Sequence, residues 1–152
     1  MIVSENVQNL VTELGALLQL PGAALDAKCY CGLLFDDRTL VGLQYHPATG
    51  NLVAFSTLGM IPAQGREEIY STMLRANRFW VGTGGATISL EDGDPPVAVL
   101  ARSFSCEGRN ASALADEIAR FLSTAEQWSD YLSGSGEPAP AEAAPPAFGL
   151  RA

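Results

Sequence analysis

The stretch FWVGTGGATISLEDGD, residues 79–94, decides how this chain is to be read. Its GTGGAT core has the look of a loop that wraps backbone amides around a phosphate. A dinucleotide fingerprint, however, needs a strand before its glycines and a helix after them, because the helix N-terminus supplies the dipole and free amides that hold a pyrophosphate. Here the order is reversed. Upstream, Ile69, Tyr70, Met73, Leu74 and Asn77 recur at helical spacing over residues 66–78, and downstream ATISLE (86–91) reads as a strand. A Walker-type loop also needs a lysine followed by Ser or Thr after its last glycine, and no lysine follows Lys28. The context predicts a connector in which Gly82, Gly84 and Gly85 supply the backbone angles that turn a helix into a strand.

Working outward, Val7, Leu10, Val11, Leu14, Leu17 and Leu18 predict an amphipathic helix over residues 4–19, with Ser4 as N-cap and Pro21-Gly22 as its stop. Three β-rich runs follow, KCYCGLLF (28–35), TLVGLQY (39–45) and NLVAFSTL (51–58), separated by turn-length linkers, so they should pair as an antiparallel meander. Beyond the glycines, Asp92-Gly93-Asp94-Pro95 joins 86–91 to PVAVLARSF (96–104) as a second hairpin. Residues 112–132 set Leu114, Ile118, Phe121, Leu122, Ala125, Trp128 and Leu132 on one face. Ser112 is the expected cap, and Asp116 and Glu117 suit the helix dipole. The reading is an α+β fold, a five-stranded antiparallel sheet with three helices in the order α-β-β-β-α-β-β-α.

The length of 152 residues fits one domain, assigned to residues 1–132, large enough to bury roughly two-thirds of its unfolded surface without disulfide or metal. From Ser133 to Ala152, Pro, Ala and Gly supply 13 of 20 residues, which predicts a flexible tail. Seventeen acidic against nine basic residues give a net charge of −8, which argues against nucleic acid as a partner, since affinity for phosphate backbones comes from clustered Lys and Arg. The N-terminus lacks the pattern of a secretory signal, and the uncharged region between Arg38 and Arg66 is broken by His46-Pro47, Thr49-Gly50-Asn51 and Gln64 well short of the ~20 residues of a membrane span. A cytoplasmic location without membrane insertion is expected.

Residues that could carry chemistry are few. Cys29 and Cys31 lie two apart on one strand face with Leu33 and Phe35, and only Cys106 and His46 remain to complete a metal site, so the cysteines read as buried apolar side chains. His46, the single histidine, precedes Pro47 in a turn. No serine stands in a nucleophile elbow, and the acidic pairs Asp36-Asp37 and Glu91-Asp92-Gly93-Asp94 read as hairpin tips. No catalytic residues, metal or cofactor are assigned. What remains is apolar: the sheet runs carry apolar residues on both faces, Cys29, Cys31, Leu33 and Phe35 on one and Tyr30 and Leu34 on the other. An antiparallel sheet usually leaves one face polar, so part of the surface should meet another chain.

The element order in a small acidic chain resembles the class I type III secretion chaperones, the Tir chaperone family. Leu14-Gly15 and Leu20-Pro21-Gly22 resemble the end of that family's first helix. Met73-Leu74-Arg75-Ala76-Asn77 followed by Gly82-Thr83-Gly84-Gly85-Ala86 is similar to its second helix and the glycine-rich passage after it, and Leu114 to Leu132 to its last helix. The aromatic pair Phe79-Trp80 departs from it, standing where small or aliphatic residues are commoner.

The resemblance implies a homodimer that binds the N-terminal chaperone-binding segment of a secreted effector in the bacterial cytoplasm without ATP, keeping it extended and secretion-competent. It implies a dimer interface at Ile69, Met73, Asn77, Trp80, Ile88 and Leu90, and effector contact at Leu10, Leu14, Leu17, Leu33, Phe35 and Phe55. Two other readings stand beside it: a peptide-binding adaptor of the same fold in another process, and a small-ligand or nucleotide-binding enzyme using the Gly82–Gly85 loop.

Overall fold

A computed structural model describes residues 3–134. The Pro/Ala/Gly-rich stretch expected as a tail lies, from residue 135 onward, outside the described residues. The elements are α1 (Glu5–Leu17), β1 (Tyr30–Phe35), β2 (Thr39–His46), β3 (Asn51–Met60), α2 (Arg66–Asn77), a short 3-10 turn (Arg78–Trp80), β4 (Thr87–Glu91), β5 (Val97–Ser105) and α3 (Ala111–Leu132). The five strands form one antiparallel sheet in the order β1-β2-β3-β5-β4. Fold class and element order are those read from the sequence. The described residues divide into two compact units, 3–56 with 101–123 and 57–100 with 124–134.

In the first unit, the Ser4 hydroxyl accepts from the Val7 amide at 3.3 Å and opens α1, and Val7, Leu10, Val11 and Leu14 form its buried stripe. The helix ends earlier than Pro21-Gly22, at a left-handed Gln19 (φ 62), with the Leu20 amide returning to the Gly15 carbonyl at 2.7 Å. Gly15 is needed there, because a β-carbon would stand 2.4 Å from the Ala23 β-carbon. The Gln8 side chain then holds the returning connector at both backbone groups of Leu25, donating to its carbonyl at 3.0 Å and accepting from its amide at 2.8 Å.

Register and parity fix the inner face of β1–β3. Cys31 faces Leu43, Leu33 faces Val41, Leu43 faces Ala54 and Tyr45 faces Leu52, and every one of these side chains is buried. The start of α3 carries a correction. Asn110, not Ser112, is the cap, its side-chain oxygen accepting from the amides of Ser112 at 2.8 Å and Ala113 at 3.3 Å. Nor does an acidic residue stand in the first turn of α3. Glu117 instead pairs with the Arg109 guanidinium at 3.0 Å.

In the second unit, α2 is entered through a left-handed Gly65 without a side-chain cap and buries Met73 and Ala76. Fully buried Trp128 of α3 donates its indole N–H to the Gly82 carbonyl at 2.9 Å, fastening the glycine connector to the helix.

The cap assignment is open to test. Asn110→Ala should cost about 1 kcal/mol of stability in urea denaturation, while Ser112→Ala should stay within about 0.5 kcal/mol.

Candidate functional site

The glycine connector is closed on itself. Four of its amides are taken by nearby carbonyls: Gly82 donates to Ala76 at the end of α2 at 3.1 Å, Thr83 and Gly85 each to Trp80 at 3.4 Å, and Ala86 to Thr83 at 3.2 Å. The buried Thr83 hydroxyl donates to the Ala86 carbonyl. A phosphate cradle needs these donors free and a helix beginning behind them, whereas β4 begins here. Gly82 is required for close approach, since a β-carbon would lie 2.7 Å from that of Ala76.

Immediately before the glycines, Phe79 and Trp80 are held at φ 53 and 56, left-handed values that non-glycine residues adopt at a cost of about 1–2 kcal/mol each. Both rings are exposed, Trp80 at 54%. The Trp80 indole N–H donates to the Thr87 hydroxyl at 3.2 Å, and the Arg78 guanidinium lies 5.3 Å from the Phe79 ring centroid.

Beside this turn lies an open, apolar groove of about 370 Å³ between α2 and β4, lined by Tyr70, Met73, Leu74, Asn77, Ile88, Ser89 and Leu90. Asn77 fixes its geometry by bonding both backbone groups of Ile88, donating to the carbonyl at 2.9 Å and accepting from the amide at 2.8 Å. Leu74 and Leu90 stand at its rim, 71% and 46% exposed. The structure thus brings Met73, Asn77, Ile88 and Leu90 of the expected interface set together. Trp80 is exposed close by in sequence, and Ile69 is half-buried on α2.

The first unit carries a second apolar surface, on the outer face of β1–β3. Gly32 and Gly42 face each other across the strands. The Phe55 ring covers Gly42, where a β-carbon would meet it at 2.5 Å, and the Tyr30 hydroxyl reaches over Gly32. The two rings stand 6.2 Å apart, and the paired leucines Leu34 and Leu40 are 48% and 52% exposed. An open groove of about 550 Å³ runs along β1, an edge strand of the sheet, between Gln19–Ala24 and Tyr30–Leu34.

The residues expected to contact an effector are divided by this geometry. Leu10, Leu14, Leu33 and Phe35 point inward and are at most 9% exposed, because α1's buried stripe and the odd-numbered row of β1 form the core. Leu17 is exposed on α1 and Phe55 lies half-buried on the outer face. Leu34 and Leu40 were outside the expected set, and the signal for them was the parity of β1, which puts Leu34 opposite to Leu33, together with two side-chain-free positions at Gly32 and Gly42.

Cys29 and Cys31 are buried and Cys106 is half-buried. Burial pushes the thiols of Cys31 and Cys106 upward, which withholds the thiolate form that reacts with electrophiles and metals. Among the described residues no group of three His, Cys, Asp or Glu side chains stands where it could hold a metal ion, and no helix is long and apolar enough to cross a membrane.

The sequence pattern of the Tir chaperone protein (CesT) family matches residues 9–129. Curated proteins offer no significant sequence match. Among solved structures, the ExsC–ExsE complex contains a chain with a TM-score of 0.68 at 18% identity, covering 87% of this chain and 97% of that one. The HopA1–SchA chaperone–effector complex contains one with a TM-score of 0.67 at 15% identity, covering 86% and 99%. The Yersinia pestis type III secretion chaperone SycH, in complex with a stable fragment of YscM2, gives 0.62 at 21% identity, covering 78% and 95%. At these identities the likeness is one of fold.

The Asn77 bridge can be tested apart from any partner. Asn77→Ala leaves both backbone groups of Ile88 without their bonds and should cost about 1–3 kcal/mol in urea denaturation.

Proposed function

We propose, for a chain that belongs to the Tir chaperone protein (CesT) family, that it is a homodimeric chaperone of type III secretion, working without ATP or catalysis in the bacterial cytoplasm. Its client is the N-terminal chaperone-binding segment of a secreted effector, held extended and secretion-competent. The observation that carries this reading is the outer face of β1–β3, where Leu34, Leu40, Tyr30 and Phe55 form an apolar surface bordering an edge strand. An extended peptide gains main-chain hydrogen bonds at such an edge and places alternate side chains on such a face. Each large apolar side chain buried there contributes about 1.5–3 kcal/mol, so several together offset the cost of ordering the segment.

Support also comes from the relatives in fold, two of them solved in complexes described as those of a chaperone with its effector or with a bound fragment. Client contact is assigned to Leu34, Leu40 and Phe55 on the outer face of the strands and to Leu17 on the exposed side of α1, while Leu10, Leu14, Leu33 and Phe35 face inward and belong to the core. The dimer is assigned to the groove between α2 and β4 and to the aromatic turn beside it, where Leu74, Trp80 and Leu90 expose apolar surface that a lone chain leaves in water.

Light scattering should find two chains per particle at micromolar concentration, and a clean monomer there overturns the dimer. Co-expression with an effector encoded beside this chain should render that effector's N-terminal region soluble. Leu34→Asp with Leu40→Asp should abolish that solubility while leaving the circular dichroism spectrum unchanged. If the solubility persists in the folded double variant, the client face lies elsewhere. Leu14→Asp, by contrast, buries a charge and should unfold the chain.

A further inference from the structure

We propose that α2 carries a self-complementary charge register that selects a second copy of this chain, the two α2 helices packing antiparallel across a two-fold axis. The inference rests on the homodimer proposed above and names what makes that pairing specific. Opposite the buried Met73 and Ala76, the outward ridge of α2 begins with exposed Glu67 and Glu68. It continues through half-buried Ser71 and exposed Leu74, and ends with exposed Arg75, with Arg78 directly after the helix. Glu67, Ser71, Leu74 and Arg78 stand at i, i+4, i+7 and i+11, a spacing that keeps them on one stripe. The stripe is negative at one end, apolar in the middle and positive at the other.

Arg66 is the one cation at the negative end of α2, and its guanidinium is drawn away to the carbonyls of Ile61 at 3.1 Å and Pro62 at 3.4 Å. At the other end the Arg78 guanidinium lies over the Phe79 ring, which leaves its charge in place, so the ridge keeps a negative and a positive end. Laid antiparallel on a copy of itself, the ridge sets Glu67 and Glu68 against the partner's Arg78 and the partner's Arg75, and symmetry repeats the arrangement. Leu74, at 71% the most exposed large apolar side chain among the described residues, then crosses the partner's Ser71, a small residue that leaves it room. Parallel packing sets like charges against like and is rejected. Leu74 belongs both to this ridge and to the apolar groove, which Tyr70 lines beside it, so the charged register adjoins the apolar surface. Two chains of formal charge −8 repel at long range, and a local arrangement of opposite charges lets self-association proceed against that repulsion.

Two charge-reversed full-length variants test the register: Glu67→Arg with Glu68→Arg, and Arg75→Glu with Arg78→Glu. In sedimentation velocity each variant alone should dimerise on the order of tenfold more weakly than the unaltered chain, and an equimolar mixture should form a heterodimer with affinity restored to within about threefold. Above about 0.15 M salt, where the Debye length is about 8 Å and the long-range repulsion between the two acidic chains is already screened, the unaltered dimer should weaken as salt is raised further, by screening of the close charge pairs. The register is overturned if both variants dimerise like the unaltered chain, or if mixing restores nothing. Helix-dipole stabilisation alone predicts lower melting temperatures and no recovery on mixing. An unaltered chain that is monomeric overturns the dimer itself, a result distinct from failure of the register. Should a reversal unfold, the neutral pairs Glu67→Gln with Glu68→Gln and Arg75→Gln with Arg78→Gln replace it. Each should weaken the dimer and flatten its salt dependence, and an unchanged salt dependence overturns the register.

Discussion

The close approach of Gly82 to Ala76 governs the second unit. With no room for a β-carbon between them, the chain must fold tightly back at the end of α2, and the amides that follow are turned inward onto Ala76, Trp80 and Thr83. The indole of buried Trp128 closes the arrangement by satisfying the Gly82 carbonyl. A tight turn of this kind has a consequence two residues upstream: Phe79 and Trp80 take left-handed backbone angles and turn their rings to the surface. Such strain persists only where the surroundings over-determine it, and the connector's internal hydrogen bonds supply that determination. The same bonds occupy the amides of Gly82, Thr83, Gly85 and Ala86, which a phosphate cradle would need free.

In the first unit the governing feature is strand parity. Period-two alternation gives the meander one row that builds the core and one that faces out, and the outward row is apolar as well. Gly32 and Gly42 would by themselves weaken the strands they occupy. Phe55 and Tyr30 fold over them, so the outward face becomes a shallow floor with aromatic cover and a leucine pair at its side. A side chain at Gly42 would displace the Phe55 ring, so the glycine and the aromatic are one device spread over two strands.

The element order was legible because punctuation is local: Ser4 caps α1, short turns separate the first three strands, and the helical spacing of residues 66–78 ends where the glycines begin. Which apolar row was core was not legible, because alternation gives both rows the same signature and only tertiary packing chooses between them. Leu33 and Leu34 are chemically identical neighbours, and the fold gives them 2% and 48% exposure. The cap of α3 was missed because Asn110 and Ser112 are both competent acceptors and the choice depends on where β5 delivers the chain. The Gln8 to Leu25 bonds, 17 residues apart, leave no trace in a local pattern. Phe79 and Trp80 carry no local signal for left-handed angles either, since the cause lies in the glycine that follows.

On the proposed function, release of a client without ATP constrains the kind of surface that can bind it. A deep cavity concentrates affinity in one all-or-none event. An edge strand beside a broad apolar face spreads it over separate anchors, each worth about 1.5–3 kcal/mol, and over main-chain bonds that do not depend on sequence. Anchors of that size can be peeled off one at a time from one end of an extended segment, so total affinity can be high while no single step is. The exposed leucines Leu34 and Leu40, the half-buried rings of Tyr30 and Phe55 and the open groove along β1 are shallow in this sense. The same shallowness leaves client selection to the spacing of apolar side chains along the segment, a property that an unfolded chain can present and a folded one conceals.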